Sequence, residues 1–470
     1  MSQQPSKIIV IVGAGFTGST IAIQQARHYM ALAQQDADLP PLTIHLVDET
    51  GTFGTGQPYR TQDDIFLLNQ PASAMSPFPD DAAHFTRWLG GDGNVFATRQ
   101  QYGAYLQEIL RQTFNEAATA HLPVKLQTIS ARVTDISTQG EKVTLTNDSG
   151  VQFIADSVVL ATGHQKGKLL AHLEGDNRYF SGAYDVEDVR EALKDATRDD
   201  SVAIVGTGQS MMDALAVLDK IHYPGTIYAL SRHGAEPWAY YPEHYNETKP
   251  PYAPVFLDPA RVKREQAWSA NQLRLWLCYE FRRGAEEGYD IGHVLAAIDF
   301  AALAKAGPEG TAPEGLKDMR KLWEKIYGNP TAPERYELFR QYKDSGYLRL
   351  LRCEVSEDNV EKRGHGFLLH VGGEEGELRV SALFNAAAFD RHALAAPLLK
   401  KAAAHGLLKL HGDAIESGQQ KHARVFVAGP PVSPDKWGVE TFRDNNAAVA
   451  RQSIESLLPA LTTIQQRRRA

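Results

Sequence analysis

The sequence predicts an α/β fold, because one short pattern of strand, glycine turn and helix occurs twice along the chain. The first copy is an apolar run over residues 7–12, followed by Gly13-Ala14-Gly15-Phe16-Thr17-Gly18 and a long helical pattern. The second copy is the apolar run 201–205, followed by Gly206-Thr207-Gly208 and another helical pattern. A glycine turn between a buried strand and a helix is the dinucleotide-binding element of a Rossmann-like domain. We therefore predict two Rossmann-like dinucleotide-binding domains, with a helical insertion.

Each glycine of the first turn has a separate physical role. Gly13 permits the tight turn, Gly15 lets a pyrophosphate approach the backbone, and Gly18 lets the helix pack closely on the strand. The unpaired N–H groups at the helix N-terminus then point at the phosphates. The alternative is a purely structural turn, since glycines join strands to helices in many proteins.

Composition excludes several classes of protein. The 470-residue chain carries 49 basic and 57 acidic side chains, a net charge of -8, and no long basic block, which argues against nucleic acid as a partner. Only Cys278 and Cys353 occur, without a CxxC motif, so neither a cysteine zinc site nor a redox dithiol is expected. No signal peptide and no run of 18 apolar residues is apparent, so we expect a cytoplasmic protein without a membrane span. The sequence does not determine the oligomeric state, and a homo-oligomer is one possibility.

The second predicted strand, residues 43–47, ends in an acidic pair led by Asp48. An acid at this place can accept hydrogen bonds from the adenosine ribose hydroxyls. It follows the glycines by about 30 residues instead of the usual ~20, because the helix is long and a Pro-Pro loop follows it. Asp48 is the predicted ribose ligand, and an ordinary surface carboxylate is the alternative.

A proline-rich stretch, residues 66–81, mixes apolar and amide side chains in an irregular path. It can line a pocket for a flat heteroaromatic ring or serve as a rigid surface loop. Asn69 and Gln70 within it are the candidates for polar contacts with such a ring and with a substrate pocket.

The middle of the first region is predicted to be rich in strands. Residues 124–129, 131–137 and 142–146 alternate like short antiparallel strands, and residues 157–160 form a buried strand. The small-residue turn Ala161-Thr162-Gly163-His164 follows, with His164 more often structural than catalytic in such a place. Residues 165–199 are predicted to be a polar, mostly helical linker.

The second dinucleotide element differs from the first at its ribose end. Its second strand, residues 225–230, ends in Ser231-Arg232, so the residue there is basic. An arginine holds a 2′-phosphate that an acid would repel, which favours NADPH over NADH. The third glycine of the turn is replaced by Met211. One site acidic at the ribose and one basic there is the combination needed by a flavoprotein that uses FAD and NADPH.

A final strand, turn and helix lie near the C-terminal end of the sequence. The strand 424–428 ends in Gly429-Pro430, and Gly438 precedes an Ala-rich helix over about 440–456. Such a helix N-terminus can stabilise the reduced flavin at its N1–C2=O edge. Gly429 and Gly438 are therefore predicted cofactor contacts.

The domain boundaries follow from these patterns. Residues 1–165 and 380–470 form the predicted FAD-binding domain, and residues 198–240 and 345–380 the predicted NADPH-binding domain. Residues 241–344 form the helical insertion, a candidate cover for the substrate pocket.

These motifs resemble the flavin-monooxygenase superfamily, and within it the bacterial FAD/NAD(P)-binding oxidoreductases related to the N-hydroxylating monooxygenases. The resemblance covers nearly the whole chain, and the Gly206-Thr207-Gly208-Gln209-Ser210 form is similar to the NADPH turn of N-hydroxylating enzymes. It implies that further residues contact the cofactors. Those on FAD are Val133, Thr162 and Gly163, beside Gly13, Gly15, Gly18 and Asp48. Those on NADPH are Gly206, Gly208, Gln209, Ser210 and Arg232.

The predicted function is an FAD-dependent monooxygenase reduced by NADPH, in which O2 adds to the reduced flavin as a C4a-(hydro)peroxide and a small molecule is oxygenated. N-hydroxylation of an amine or amino acid is the narrower expectation. No metal is expected, since the flavin carries the difficult chemistry. One alternative is an NADPH-dependent flavin reductase or dehydrogenase that does not use O2, and the other is a regulatory protein that holds FAD structurally.

Overall fold

The computed structural model describes residues 5–458 except 37, 183, 233, 235, 238, 240–249, 265–268, 290–293, 296, 307–330, 374, 388, 391, 413 and 433–438. Two compact units are formed. One contains Met1–Ala171 and Ala388–Ala470, and the other contains His172–Ala387.

The strands are short and numerous. In chain order they are β1 Lys7–Val12, β2 Leu42–Asp48, β3 Val124–Ser130, β4 Val133–Gln139, β5 Lys142–Asn147, β6 Gln152–Ala155, β7 Ser157–Leu160, β8 Gln165–Lys166, β9 Tyr179–Ser181, β10 Ser201–Val205, β11 Thr226–Ser231, β12 Leu348–Arg352, β13 Val360–Arg363, β14 Gly366–Gly372, β15 Gly376–Val380, β16 Ala382–Asn385, β17 Phe389–Asp390, β18 Leu410–His411, β19 Ala414–Ile415, β20 Gly418–Gln419 and β21 Val425–Val427.

The α-helices alternate with these strands in both units. They are α1 Phe16–Ala33, α2 Gly56–Tyr59, α3 His84–Trp88, α4 Arg99–Thr119, α5 Val186–Leu193, α6 Gln209–Lys220, α7 Pro259–Val262, α8 Ala270–Glu286, α9 Phe300–Ala306, α10 Pro333–Asp344, α11 Pro397–Ala404 and α12 Val439–Leu457. None of the helices in the described ranges has the length and hydropathy needed to cross a bilayer.

The first unit is built on a six-stranded sheet of order β20-β21-β7-β1-β2-β3. Its central strand β1 runs parallel to both neighbours, β2 and β7. The side chains of alternate residues of β1 pack into separate hydrophobic cores on the two faces of the sheet, because successive side chains of a strand point to opposite faces. Ile9 and Ile11 pack with α1, α4 and α12, whereas Val10 and Val12 pack with the β4–β6 sheet and α11. Coverage of both faces explains why β1 is an unbroken apolar run.

Strand β3 differs from the sequence prediction. It pairs with β2 in parallel, with Leu42 opposite Val124 and Asp48 opposite Ser130, and so belongs to the main sheet. Only β4, β5 and β6 form the separate antiparallel sheet. A parallel neighbour requires a long crossover connection, and the 21-residue helix α4 supplies it.

The second unit is built on a five-stranded sheet of order β12-β11-β10-β16-β9. Strand β10 lies between β11 and β16 and is parallel to both. The chain 382–385 therefore belongs to the second unit, which corrects the predicted boundary at residue 380. The predicted helical linker 165–199 is also corrected, since it contains β9, which pairs in parallel with β16.

A small helical core lies in the described part of the predicted insertion. Leu273, Trp276, Leu277 and Glu280 are buried and lie on one face of α8, at helical spacing. The Glu280 carboxylate is fully buried and accepts hydrogen bonds from the backbone N–H groups of residues 255–257 and from the Tyr252 hydroxyl. Glu280 thus ties α8 to the segment that precedes α7.

Substitution of Glu280 by alanine is expected to destabilise this segment by about 3 kcal/mol or more, because three backbone N–H groups lose their acceptor, among them that of the fully buried Leu257. Hydrogen exchange at the amides of residues 255–257, together with denaturant unfolding, measures the effect. Glu286→Ala is the matched control, since that carboxylate is exposed and pairs with Arg282 on the same helix. Its effect is expected within about 0.5 kcal/mol. Equal effects of the two substitutions would contradict the anchoring role of Glu280.

Candidate functional site

The first glycine turn follows β1, and backbone atoms lie close to Gly13 and Gly18. Gly13 has φ +102°, and a Cβ built on it would lie 2.2 Å from the Ala161 carbonyl oxygen. A Cβ on Gly18 would lie 1.8 Å from the Gly13 carbonyl oxygen. Both contacts are with backbone, so neither position accommodates a side chain. The predicted roles of the two glycines in turn geometry and close packing therefore have a steric basis.

The N-terminus of α1 is open to an anion. Gly15 is its N-cap residue, no side chain caps it, and its first turn contains no acidic residue. Helices α4, α5 and α7 begin with the capping side chains of Thr98, Asp185 and Asp258, whereas α2, α3, α10 and α11 also lack a side-chain cap. Uncapped first-turn N–H groups with the positive end of the helix dipole are suited to a pyrophosphate.

Asp48 lies at the end of β2 beside this turn. Its Oδ2 accepts a hydrogen bond from the Ala14 N–H at 2.9 Å, and its Oδ1 accepts from the Thr50 N–H and hydroxyl. The carboxylate therefore stabilises the conformation of the glycine turn, a role that the sequence did not indicate. An ionised carboxylate has about four acceptor sites, so it can still bind a ribose hydroxyl. Its role as ribose ligand stays a prediction.

Two further predicted turns meet the first one at the carboxyl edge of the sheet. The Ala161-Thr162-Gly163 turn after β7 lies against Gly13, and Gly429, with φ +84°, faces the Thr17 side chain. The Thr162 hydroxyl oxygen is buried and has no hydrogen-bond partner among the described residues. An orphaned buried hydroxyl beside an uncapped helix is compatible with a missing polar ligand. These residues therefore fit a bound dinucleotide.

Val133 begins β4 in the same unit. It is 9% exposed and packs in one cluster with Val12 and Val47, the residues at the ends of β1 and β2. This places it near the ribose end of the predicted site. Its contact with FAD stays a prediction.

The proline-rich loop is anchored on both sides of Asn69 and Gln70. The Leu68 N–H donates to the Ala97 carbonyl, and the Ala72 N–H donates to the Val95 carbonyl, each at 2.9 Å. Asn69 and Gln70 are half-buried between these anchors. One backbone hydrogen bond on each side restricts the position of the amide pair, as a ligand-contacting loop requires.

Tyr102 on α4 connects this loop to the glycine turn. Its ring lies 6.3 Å from that of Phe16 in the first turn of α1, and its hydroxyl donates to the Met75 carbonyl at 2.8 Å. Burial raises the pKa of Tyr102 well above its ordinary value, with further contributions from Tyr59 and Tyr105. The hydroxyl therefore remains a neutral hydrogen-bond donor at physiological pH.

A small pocket of about 10 Å³, close to the room that a single water molecule needs, adjoins the Gly163 turn in the first unit. Its lining includes His164, Asp390, His392 and Pro430. The His164 ring packs 5.0 Å from that of Phe389, which agrees with a structural role. Asp390 and His392 were not singled out from the sequence. They reach the pocket because β17 pairs with β8 across more than 200 residues, and no local pattern signals that pairing.

The second glycine turn repeats the first in the second unit. Gly206 has φ +107° and donates its N–H to the Leu230 carbonyl at 2.7 Å. Gly208 is the N-cap of α6, which again has no capping side chain and no acid in its first turn. Gln209 and Ser210 begin this helix and are half-buried. Met211, in place of the third glycine, is fully buried and fills the packing position.

Arg232 directly follows β11 and is exposed. Its backbone carbonyl accepts a hydrogen bond from Nε of Arg352, at the end of the neighbouring strand β12. The predicted NADPH residues of the second unit thus lie at one sheet edge. Gly438, the remaining predicted FAD contact, lies outside the described residues.

Comparison with known proteins agrees with this geometry. Residues 10–165 match the model of a family described as FAD-NAD(P)-binding. The sequence matches none of the curated proteins. The match confirms the predicted cofactor class, FAD with NAD(P), for the region that carries the first glycine turn.

Solved structures resemble the chain over almost its full length. The ornithine hydroxylase of Pseudomonas aeruginosa in its reduced form is 16% identical, with 97% of this chain and 100% of that chain covered and a TM-score of 0.53. The cadaverine monooxygenase of Erwinia amylovora bound to FAD is 15% identical, with 96% and 94% covered and a TM-score of 0.51. The Kutzneria sp. 744 ornithine N-hydroxylase with reduced FAD, NADP+ and L-ornithine is 14% identical, with 99% and 100% covered and a TM-score of 0.50. At these identities the likeness establishes the fold, and the predicted α/β class is confirmed.

Proposed function

We propose that the chain is an FAD-dependent monooxygenase that is reduced by NADPH and acts on a small molecule. The observation that carries the proposal is the pair of glycine turns, each leading into an uncapped helix that lacks acids in its first turn. One turn has an acid at the ribose position, Asp48, and the other has a base, Arg232. This combination fits one FAD and one NADPH.

The residues of the first unit would hold FAD. The N–H groups at the start of α1 would bind the pyrophosphate, Asp48 the adenosine ribose, and the loop with Asn69 and Gln70 the flavin ring. When bound, FAD would supply two-electron redox chemistry between NADPH and O2. The protein's part is to orient the reactants, exclude water and donate hydrogen bonds.

N-hydroxylation of a primary amine is the finer proposal. The resembling structures include an ornithine N-hydroxylase and a cadaverine monooxygenase, which supports an amine as substrate. The balanced reaction converts R–NH2, O2, NADPH and a proton into R–NHOH, water and NADP+.

The absorption spectrum of the purified protein, recorded before and after anaerobic NADPH, tests the cofactors directly. We expect a flavin spectrum that is bleached by NADPH and O2 uptake that follows NADPH oxidation. Bleaching without O2 uptake would favour a reductase or dehydrogenase. A flavin that NADPH does not reduce would favour the regulatory alternative.

Substitution of Arg232 by alanine is expected to raise the KM for NADPH about tenfold and to leave the KM for NADH nearly unchanged, because only NADPH carries the 2′-phosphate. Steady-state oxidation of the two nucleotides measures this, and NADH is the internal control. An unchanged preference for NADPH would show that Arg232 does not hold the phosphate.

A further inference from the structure

We infer that Arg352 is a second residue that determines the preference for NADPH, by holding the 2′-phosphate together with Arg232. The inference rests on the proposed function, since it assumes that the second unit binds NADPH. It adds a residue that lies 120 positions along the chain from Arg232.

The sheet register brings the two arginines together. Strands β11 and β12 are parallel, and Ser231 lies opposite Arg352 in the register. Their carboxyl ends therefore meet at one edge, where ligands bind in open α/β sheets. The pairing continues one residue further, since the Cys353 N–H donates to the Ser231 carbonyl at 3.0 Å.

A hydrogen bond holds the Arg352 side chain at this edge. Its Nε donates to the Arg232 carbonyl at 3.2 Å, and its Cβ lies 3.6 Å from where a Cβ on Gly234 would be. Because Nε is occupied by the backbone, the two terminal nitrogens of the guanidinium remain as a fork of donors. A fork of this kind matches two oxygens of a phosphate.

The charge at this edge is uncompensated in the described part of the chain. Neither Arg232 nor Arg352 forms an ion pair there, whereas other exposed arginines do, for example Arg190 with Glu187 and Arg363 with Glu361. An anion bound at this edge would interact favourably with both positive charges. A phosphate monoester carries a charge of about −1.5 to −2 at pH 7 and would neutralise both.

The test uses the flavin-loaded full chain and two nucleotides that differ in the 2′-phosphate, 2′,5′-ADP and 5′-AMP. Titration calorimetry of Arg352→Gln is expected to show a loss of about tenfold in affinity for 2′,5′-ADP and no change for 5′-AMP. Arg352→Lys keeps the charge but not the fork, so its loss is expected to be smaller. Arg363→Gln, an exposed arginine on β13, is the matched control and is expected to change neither affinity.

Each outcome bears on the inference. An unchanged 2′,5′-ADP affinity in Arg352→Gln, with the wild-type chain preferring 2′,5′-ADP, overturns the role of Arg352 and leaves the proposed function standing. Equal losses for both nucleotides also overturn it, since Arg352 would then act on the adenosine or on the fold. A wild-type chain that binds neither nucleotide overturns the NADPH proposal itself.

Discussion

The substitution Gly18→Ala is expected to give a protein that retains no flavin and is destabilised by about 3 kcal/mol or more. The new Cβ would lie 1.8 Å from the carbonyl oxygen and 3.0 Å from the carbonyl carbon of Gly13. Both atoms are backbone, so relief requires α1 to move away from β1. That movement would open the packing of Ile11 and Ile21 in the core and displace the N–H groups that are proposed to bind the pyrophosphate.

Two measurements check this expectation: the flavin absorbance per protein after purification, and denaturant unfolding. Gly140→Ala is the matched control in the same unit. Gly140 lies in the turn between β4 and β5 with φ +60°, and no atom lies within 4 Å of the Cβ position. Alanine there costs about 1–2 kcal/mol of backbone strain and should leave the flavin content intact. A Gly18→Ala protein that keeps full flavin and wild-type stability would refute the steric role of Gly18.

The local elements could be predicted from the sequence because their determinants are adjacent in the chain. An apolar run, a glycine turn and a helical pattern occupy consecutive residues, so both dinucleotide elements were found with nearly correct bounds. The places of Asp48 and Arg232 at the ends of strands could be predicted for the same reason, and their roles as ligands stay predictions. The direction in which two strands pair could not be predicted in this way. Alternation of polar and apolar side chains indicates a strand, but it does not identify the strand with which it pairs. The helix α4 ahead of β3 was the available signal for a parallel pairing.

The errors and omissions concern long-range pairing. Strand β9 has three residues, too few for a periodic pattern, and the local sequence of β16 does not reveal that it pairs with β10, so the predicted second unit is too short at both ends. Arg352 and His392 reach their places through strands paired over more than 100 residues. Asp48 shows a further limit, since its hydrogen bond to the Ala14 N–H depends on the turn's geometry. An acidic residue at a strand end predicts a ribose ligand. It does not reveal that its carboxylate also accepts a hydrogen bond from the glycine turn.

The graded substitutions Gly208→Ala and Gly208→Leu are expected to weaken NADPH binding selectively. Gly208 has φ −93° and ψ −160°, which any residue adopts, and no atom lies within 4 Å of its Cβ position. The fold therefore tolerates a side chain there, at a cost below about 1 kcal/mol for alanine at an N-cap. The side chain would extend into the space in front of α6 that the NADPH pyrophosphate would occupy. We expect the KM for NADPH to rise about tenfold with alanine and further with leucine.

The contrast with Gly18 makes the result diagnostic. Flavin content and denaturant unfolding of both Gly208 variants should match the wild-type chain, because Gly208 packs against nothing and lies in the second unit, whereas Gly18 packs against backbone. NADH should lose affinity to the same degree as NADPH, since both carry the pyrophosphate, in contrast to the selective effects expected at Arg232 and Arg352. If the KM values were unaffected by leucine, the pyrophosphate would not lie at α6. If flavin content fell in parallel, the role of Gly208 would be structural, and the turn after β10 would not be the NADPH site.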